Sequence, residues 1–220
     1  MSTPHYIGIT GGIGSGKSYV CRLLEQRGVS VYDCDAAAKR LMRSSAELRQ
    51  ALTSLIGDDA YVRAGSAGSS GTTGSSGSSG SSGAAGDEPF VLNKAVVARF
   101  LLASAENAKA IDDIVHPAVA ADFIGSGMQW LESAILFQSG FDRRVPFHAV
   151  ICVTAPEEVR LQRIMARDGI SRHQAQQWVA KQWPQQDIVS RSDYEIINDG
   201  QQPLLPQIEQ ILNQVKTSCN

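Results

Sequence analysis

The residues best suited to chemistry stand near the amino terminus, where residues 11–18 read GGIGSGKS. Glycine is costly to order on folding, so four glycines in six positions indicate that bare backbone is needed there. The spacing Gly-x-x-x-x-Gly-Lys-Ser, between a strand-like and a helical segment, is that of a phosphate-binding loop. Its N–H groups would surround a phosphate, Lys17 would follow the transferred phosphoryl group from the solvent side, and Ser18 would offer Mg²⁺ a hydroxyl oxygen.

Two carboxylates follow the next strand-like segment, VSVYD, and alternate at its carboxyl end as Asp33 and Asp35. In a parallel sheet this is the end at which ligands bind. A carboxylate beside a terminal phosphate can accept the proton of an attacking hydroxyl, and a second one can help to place Mg²⁺ through water. A simpler interpretation also stands, since either aspartate could only cap the helix predicted to begin near residue 36.

The composition limits the class of protein. The chain has 220 residues, 43% of them hydrophobic, and a formal net charge of −2. It can therefore build one sizeable core but carries no overall positive field for nucleic acid. No run approaches the ~20 apolar residues of a membrane span, and the first residues do not resemble a signal peptide. With four dispersed cysteines, we expect a cytoplasmic protein with reduced core thiols, a monomer or weak homo-oligomer that binds neither nucleic acid nor membrane.

Short apolar strands alternate with helical patterns along most of the chain, which predicts a parallel sheet covered by helices on both faces. We predict an α/β fold of three layers with a five-stranded parallel sheet, formed by a single domain over 1–220. Its core is expected from 1–35 and 128–220, with a helical region over 36–127. The predicted strands lie within residues 6–10, 29–33, 128–133, 148–155 and 194–199.

Residues 65–88 differ from the rest of the chain because they consist almost entirely of Gly, Ser, Ala and Thr. Such a segment cannot bury enough apolar area to offset the entropy of ordering it. Its repeated GSSG texture is typical of a flexible linker. We therefore predict a mobile segment that interrupts the helical region and contributes nothing to the fold.

Beyond the phosphate-binding loop, the chain resembles the dephospho-coenzyme A kinases. The opening GITGGIGSGKSYVCRLLEQRGVSVYDCDAAAKRLM is similar to theirs, as are IVHPAV, LESAILFQSGFD, VICVTAPEEVRLQRIMARDGIS and SDYEIINDG. The resemblance covers nearly all of the chain except 62–92 and 124–129. This family transfers the γ-phosphate of ATP to the 3′-hydroxyl of the dephospho-coenzyme A ribose, the last step of coenzyme A synthesis. It implies a P-loop kinase fold with a helical acceptor lobe and a small lid, which uses ATP and Mg²⁺ and has dephospho-coenzyme A as acceptor.

The resemblance also implies roles for individual residues. Asp35 matches the carboxylate that activates the acceptor, and Lys17 and Ser18 match the loop lysine and the Mg²⁺ ligand. Arg163 and Arg167, four positions apart on one predicted helix face, match the lid arginines that place positive charge over the transferring phosphate. The residues expected to bind nucleotide are Gly12, Ile13, Gly14, Ser15, Gly16, Lys17, Ser18, Tyr19 and, beside the adenine, Asn198. Those expected to bind the acceptor are Asp33, Asp35, His116 and Glu132.

Simpler interpretations exist for several of these residues. The two arginines could form a solvated basic face, His116 with Pro117 could bend or begin a helix, and Asn198 could form a turn. The Gly/Ser run stands where family members usually have a short turn, and the segment before the third strand is short; both departures concern the acceptor side. Gln138 stands where the family usually has an acidic residue. Two other functions stay open, namely a P-loop kinase of a nucleotide or shikimate-like acceptor and a non-catalytic nucleotide-binding scaffold. An acceptor screen and a phosphotransfer assay would separate them.

Overall fold

The computed structural model describes residues 5–63 and 90–218. Contacts divide the chain into a first unit, of residues up to 37 and from 119 onward, and a second unit of residues 38–118. The predicted linker at 65–88 lies outside the described residues. The described strands are β1 (Tyr6–Thr10), β2 (Val31–Asp33), β3 (Tyr61–Arg63), β4 (Phe90–Leu92), β5 (Trp130–Glu132), β6 (Phe147–Thr154) and β7 (Tyr194–Ile197). The described helices are α1 (Lys17–Glu25), α2 (Cys34–Ser44), α3 (Ala46–Ile56), α4 (Lys94–Ala103), α5 (Ala105–Gly125), α6 (Phe141–Arg144), α7 (Glu157–Asp168), α8 (Arg172–Ala180), α9 (Gln185–Val189) and α10 (Leu204–Ser218).

The first unit is built on a five-stranded sheet in the order β2-β5-β1-β6-β7, and every neighbouring pair is parallel. The predicted α/β fold with a five-stranded parallel sheet is therefore confirmed. In this register Asp33 of β2 lies opposite Glu132 of β5, which lies opposite Ile9 of β1. The sheet order thus brings two acidic side chains to the edge from which the phosphate-binding loop leaves β1.

Side chains on β1 alternate between two apolar layers, as successive residues of a strand must. Ile7 and Ile9 pack with Leu24 of α1 and Ile208 of α10 on one face. Tyr6 points to the other face, where its ring lies 5.0 Å from that of Phe123 near the end of α5. Because β1 is buried on both faces, the whole strand is apolar or small, and the loop that follows it starts from a rigid base.

Three of the four cysteines belong to this apolar interior. Cys21, Cys34 and Cys152 are buried free thiols, and Cys219 lies outside the described residues. Burial raises the pKa of the Cys21 and Cys152 thiols to about 12, because the charged thiolate would lose its hydration. These side chains therefore act as small apolar residues of the core.

The second unit contains α3, α4 and the antiparallel pair of β3 and β4. Side chains cap both helices: Ser45 accepts a hydrogen bond from the Leu48 N–H at 3.2 Å, and Asn93 accepts one from the Val96 N–H at 3.4 Å. Helix α5 continues through Pro117, which therefore does not begin a new helix. Across residues 5–63 and 90–218, no helix combines the length and apolarity that spanning a membrane requires.

The sequence pattern did not predict β3 and β4, nor the short helices α6 and α9. Strands of three residues and helices of four or five offer too few positions for a hydrophobic period to emerge. Arg63 at the end of β3 lies directly opposite Phe90 at the start of β4, so the two strands could be joined by a short turn.

Replacing residues 64–89 with an Asn-Gly turn should leave the hairpin register intact, since paired strand ends need only a two-residue connection. Loop-closure entropy grows with the logarithm of length, so the free energy of unfolding should rise by about 2 kcal/mol, measured by urea denaturation. The matched control is a chain with 64–89 scrambled at constant length, which should be unchanged. Phosphoryl transfer should persist in both variants, and its loss in the shortened chain would show that the segment contributes to the acceptor site.

Candidate active site

The phosphate-binding loop joins β1 to α1 in a conformation that requires glycine. Gly14 and Gly16 have φ of 79° and 88°, in the left-handed region that other residues rarely adopt. A Cβ at Gly14 would lie 2.6 Å from the Arg160 carbonyl oxygen, and one at Gly16 would overlap the Asn198 amide. Helix α1 begins directly at Lys17, so its N-terminal N–H groups and its dipole favour an anion at the loop.

The carboxyl edge of the sheet opens into a cavity of about 520 Å³. This volume lies within the range of small-molecule sites. The loop contributes Gly11–Gly14 and Gly16–Tyr19 to the lining, whereas Ser15 is buried and does not line the cavity. Other lining residues include Asp33, Asp35, Glu132, Arg163, Arg167 and Gln182. The structure therefore brings most of the predicted site residues to one cavity.

Lys17 and Glu132 form a hydrogen-bonded ion pair at this cavity. Their side chains are only 10% and 13% exposed, so the prediction that Lys17 lies on the solvent side is wrong. Burial raises the pKa of the Glu132 carboxyl, and the neighbouring Lys17 ammonium opposes that rise. The lysine is buried because the sheet places the end of β5 beside the start of α1, where a carboxylate can compensate its charge.

The two aspartates that the sequence could not separate have different surroundings. Asp33 caps α2, because its Oδ1 accepts a hydrogen bond from the Ala36 N–H at 2.9 Å. Asp35 lies in the first turn of α2, exposed and lining the cavity, and its carboxylate has no hydrogen-bonding partner among residues 5–63 and 90–218. Asp33 is therefore engaged in holding the helix start, while the Asp35 carboxylate is available to a ligand.

The two arginines of α7 differ in how firmly they are held. Arg163 donates hydrogen bonds to the carbonyl oxygens of Gly14 and Ser15, at 3.3 and 3.2 Å, and to Asn198 Oδ1 at 3.3 Å. Arg167 is exposed and pairs with the adjacent Asp168 at 2.8 Å. The cavity thus has one positive charge fixed against the loop and a second, exposed one that is paired with Asp168.

Asn198 holds the phosphate-binding loop by hydrogen bonding to its backbone. It is buried, and its side-chain amide donates a hydrogen bond to the Ser15 carbonyl oxygen at 2.8 Å. Its Oδ1 accepts a hydrogen bond from Arg163, so Asn198 connects the end of β7 to the phosphate-binding loop. Its expected place beside the adenine stays a prediction.

His116 belongs to the second unit. Its Nε2 lies 3.6 Å from Asp112 Oδ1, one turn earlier on α5. Its expected contact with the acceptor likewise stays a prediction.

Two residues that contact the loop were missed from the sequence. Arg160 is 5% exposed, its Nε donates a hydrogen bond to the Ile13 carbonyl oxygen at 2.9 Å, and burial lowers its pKa. Gln182 accepts a hydrogen bond from the Ile13 N–H at 2.6 Å. The spacing of Arg160 from Arg163 and Arg167 places all three near one helix face and could have drawn attention to it. No signal in the sequence distinguishes Gln182 from its neighbouring glutamines.

Comparison with known proteins identifies the family. The family described as dephospho-CoA kinase matches residues 5–67 and 87–203. The chain belongs to the dephospho-CoA kinase family. The match is interrupted within the Gly/Ser run and continues through 124–129, the segment that the sequence analysis found short.

Curated dephospho-CoA kinases from two bacteria support this assignment over nearly full length. The protein from Porphyromonas gingivalis is 36% identical over 222 residues, covering 96% of this chain and 94% of its own. That from Bacteroides fragilis is 34% identical over 217 residues, covering 94% and 90%. The predicted family and the prediction of a kinase of coenzyme A biosynthesis are confirmed, and the two other functions left open by the sequence are not favoured.

Solved structures agree on the fold. A crystal structure of a Thermus thermophilus protein matches with a TM-score of 0.70 and 28% identity over the whole of both chains. The dephospho-CoA kinase from Campylobacter jejuni gives a TM-score of 0.59 at 15% identity, covering 96% and 97% of the two chains. Shikimate kinase from Acinetobacter baumannii gives 0.54 at 15% identity, covering 98% and 95%. The P-loop kinase fold is thereby confirmed.

At Gln138 this chain has an amide where the family resemblance leads us to expect an acidic residue. Its Oε1 accepts a hydrogen bond from the Trp183 N–H at 3.2 Å. A carboxylate oxygen could accept the same bond, so the departure preserves this contact while it removes a negative charge near the end of α8.

Proposed function

We propose that this chain transfers the γ-phosphate of ATP to the 3′-hydroxyl of dephospho-coenzyme A, with Asp35 as the general base. One observation carries the assignment of the base: the Asp35 carboxylate lacks a hydrogen-bonding partner among the described residues and lines the same cavity as the phosphate-binding loop. A base must be free to accept a proton and within reach of the hydroxyl, whereas Asp33 is occupied as a helix cap.

In the proposed reaction, the N–H groups of the phosphate-binding loop hold the phosphates and the start of α1 favours their charge. The acceptor hydroxyl gives its proton to Asp35 as its oxygen bonds to the γ-phosphorus, and the bond to the bridging oxygen of ADP breaks. Lys17 leaves Glu132 to follow the transferred group, while Arg163 and Arg167 offset the charge that develops on its oxygens.

The residues at this cavity suit Mg²⁺, which the family implies. Ser18 offers a hydroxyl oxygen, and Asp33, Asp35 and Glu132 line the same cavity, so the available donors are the hard oxygens that this ion prefers. Within 5–63 and 90–218 no cluster of three or more His, Cys, Asp or Glu side chains forms a metal cage. That fits an ion held largely by phosphates and water, for which Ser18 is the proposed protein ligand. When bound, Mg²⁺ would neutralise charge on the phosphates.

The remaining proposals concern the acceptor contacts and the cellular location of the protein. We assign contacts with dephospho-coenzyme A to His116, which lies in the helical region predicted over 36–127, and to Glu132, which lies at the end of β5. The dispersed cysteines, three of them buried free thiols, support a reducing cytoplasmic setting.

A coupled assay of ADP release, with and without dephospho-coenzyme A, tests the proposed function. ADP release should depend on the acceptor, and mass spectrometry of the acceptor should show the addition of one phosphoryl group. Shikimate and nucleoside monophosphates serve as control acceptors and should give only background rates. Comparable rates with a control acceptor, or ADP binding without transfer to any of them, would contradict the proposal.

A further inference from the structure

The tip of the phosphate-binding loop, Gly12 and Ile13, is held on both sides of its backbone. Gln182 Oε1 accepts a hydrogen bond from the Ile13 N–H at 2.6 Å, and Arg160 Nε donates one to the Ile13 carbonyl oxygen at 2.9 Å. A Cβ at Gly12 would lie 2.5 Å from the Arg160 guanidinium and 3.3 Å from Gln182 Oε1. The two side chains therefore lie directly against the tip.

The Ile13 side chain anchors the same tip through apolar contacts. It packs against a buried cluster formed by Leu161 and Ile164 of α7 and Ala175 of α8. A loop residue with an apolar anchor and both backbone groups paired has little freedom to change its φ and ψ angles. The conformation of the tip is thus set by α7, by α8 and by the segment that follows α8.

The segment that carries Gln182 is itself anchored by other glutamines. Gln138 accepts a hydrogen bond from the Trp183 N–H at 3.2 Å, and Gln185 accepts one from the Ala155 N–H at 3.3 Å. The Trp183 ring also stacks on Phe137, with centroids 6.5 Å apart and planes 8° from parallel. Gln182 therefore reaches the loop from a held backbone rather than from a free surface turn.

We propose that Gln182 is a positioning residue for nucleotide binding, whose side-chain carbonyl keeps the phosphate-binding loop in its receptive shape through the Ile13 N–H. Gln182 also lines the cavity, so its amide lies beside the position that the phosphates would take. Without this acceptor the Ile13 N–H would bind water, and part of the loop would have to be ordered when the nucleotide binds. The proposal rests on the proposed function only in taking a nucleotide as the ligand of the loop.

Calorimetric titration with ADP and Mg²⁺ tests the proposal on Gln182→Ala. Loss of one hydrogen bond that orders the loop should weaken ADP binding about three- to tenfold. In turnover assays the KM for ATP should rise by the same factor, and the KM for dephospho-coenzyme A should not change. The matched control is Gln177→Ala, since Gln177 is exposed on α8, where its amide meets His173, and this variant should bind ADP like the parent.

Gln182→Asn keeps the amide but withdraws it by one methylene, so it should lose as much affinity as the alanine variant. Thermal melting of the nucleotide-free variants should stay near that of the parent, which separates loop positioning from a loss of fold. The proposal would be overturned if either variant bound ADP within about 1.5-fold of the parent, since the loss of a hydrogen bond should change the affinity by more than that. An equal loss of ADP affinity in Gln177→Ala would overturn it as well. Binding of ADP needs no acceptor. The titrations therefore test the role of Gln182 even if the chain phosphorylates a different alcohol.

Discussion

Asp35→Asn should lower the turnover of phosphoryl transfer about 10²–10⁴-fold, the range expected for loss of a positioned general base. Asparagine keeps the shape of the side chain but cannot take the proton of the acceptor hydroxyl at neutral pH. The side chain lines the cavity and has no hydrogen-bonding partner among the described residues, so its replacement should cost little stability. Affinity for ATP should change little, because the phosphates are held by the loop and not by Asp35.

Asp33→Asn is the matched control for this variant. The substituted amide would still accept the hydrogen bond from the Ala36 N–H, since asparagine caps helices about as well as aspartate. Single-turnover kinetics at saturating ATP and acceptor would compare the two variants. A reduction of only about twofold in Asp35→Asn, or a larger loss in Asp33→Asn, would transfer the role of base to Asp33 or to another group.

Lys17→Ala should reduce turnover by at least about 10²–10³-fold, as expected when one group that stabilises transition-state charge is removed. The substitution has a second effect, because it leaves the Glu132 carboxylate with little exposure and without its cation. The free energy of unfolding should fall by about 1–3 kcal/mol, less than for a fully enclosed pair since this one opens on a cavity.

The double variant Lys17→Ala with Glu132→Gln separates the two effects. Removing the carboxylate charge should restore much of the stability measured by urea denaturation, while turnover stays as low as in Lys17→Ala. Near-normal turnover in either variant would contradict the role of Lys17 in transfer. Recovery of turnover along with stability would mean that the lysine acts only by compensating Glu132.

The sequence by itself determined the nucleotide side of this protein. The phosphate-binding loop is encoded in eight contiguous residues, because a phosphate of fixed size must be surrounded by consecutive N–H groups with glycines where the backbone turns. The alternation of strands and helices determined the five-stranded parallel sheet for a similar reason, since burial on both faces dictates the pattern along each strand. Family membership followed from motifs that lie in such contiguous runs.

Only the tertiary structure decided which side chains act together. Asp33 and Asp35 are equivalent as a pattern, and the start of α2 determines that Asp33 is the cap. Lys17 pairs with Glu132 because the sheet order puts β5 beside β1, although 115 positions separate the two residues along the chain. Gln182 reaches Ile13 across 169 positions. Local spacing determines backbone conformation, whereas such partners depend on the sheet order and on how the helices pack, which no single stretch of the sequence contains.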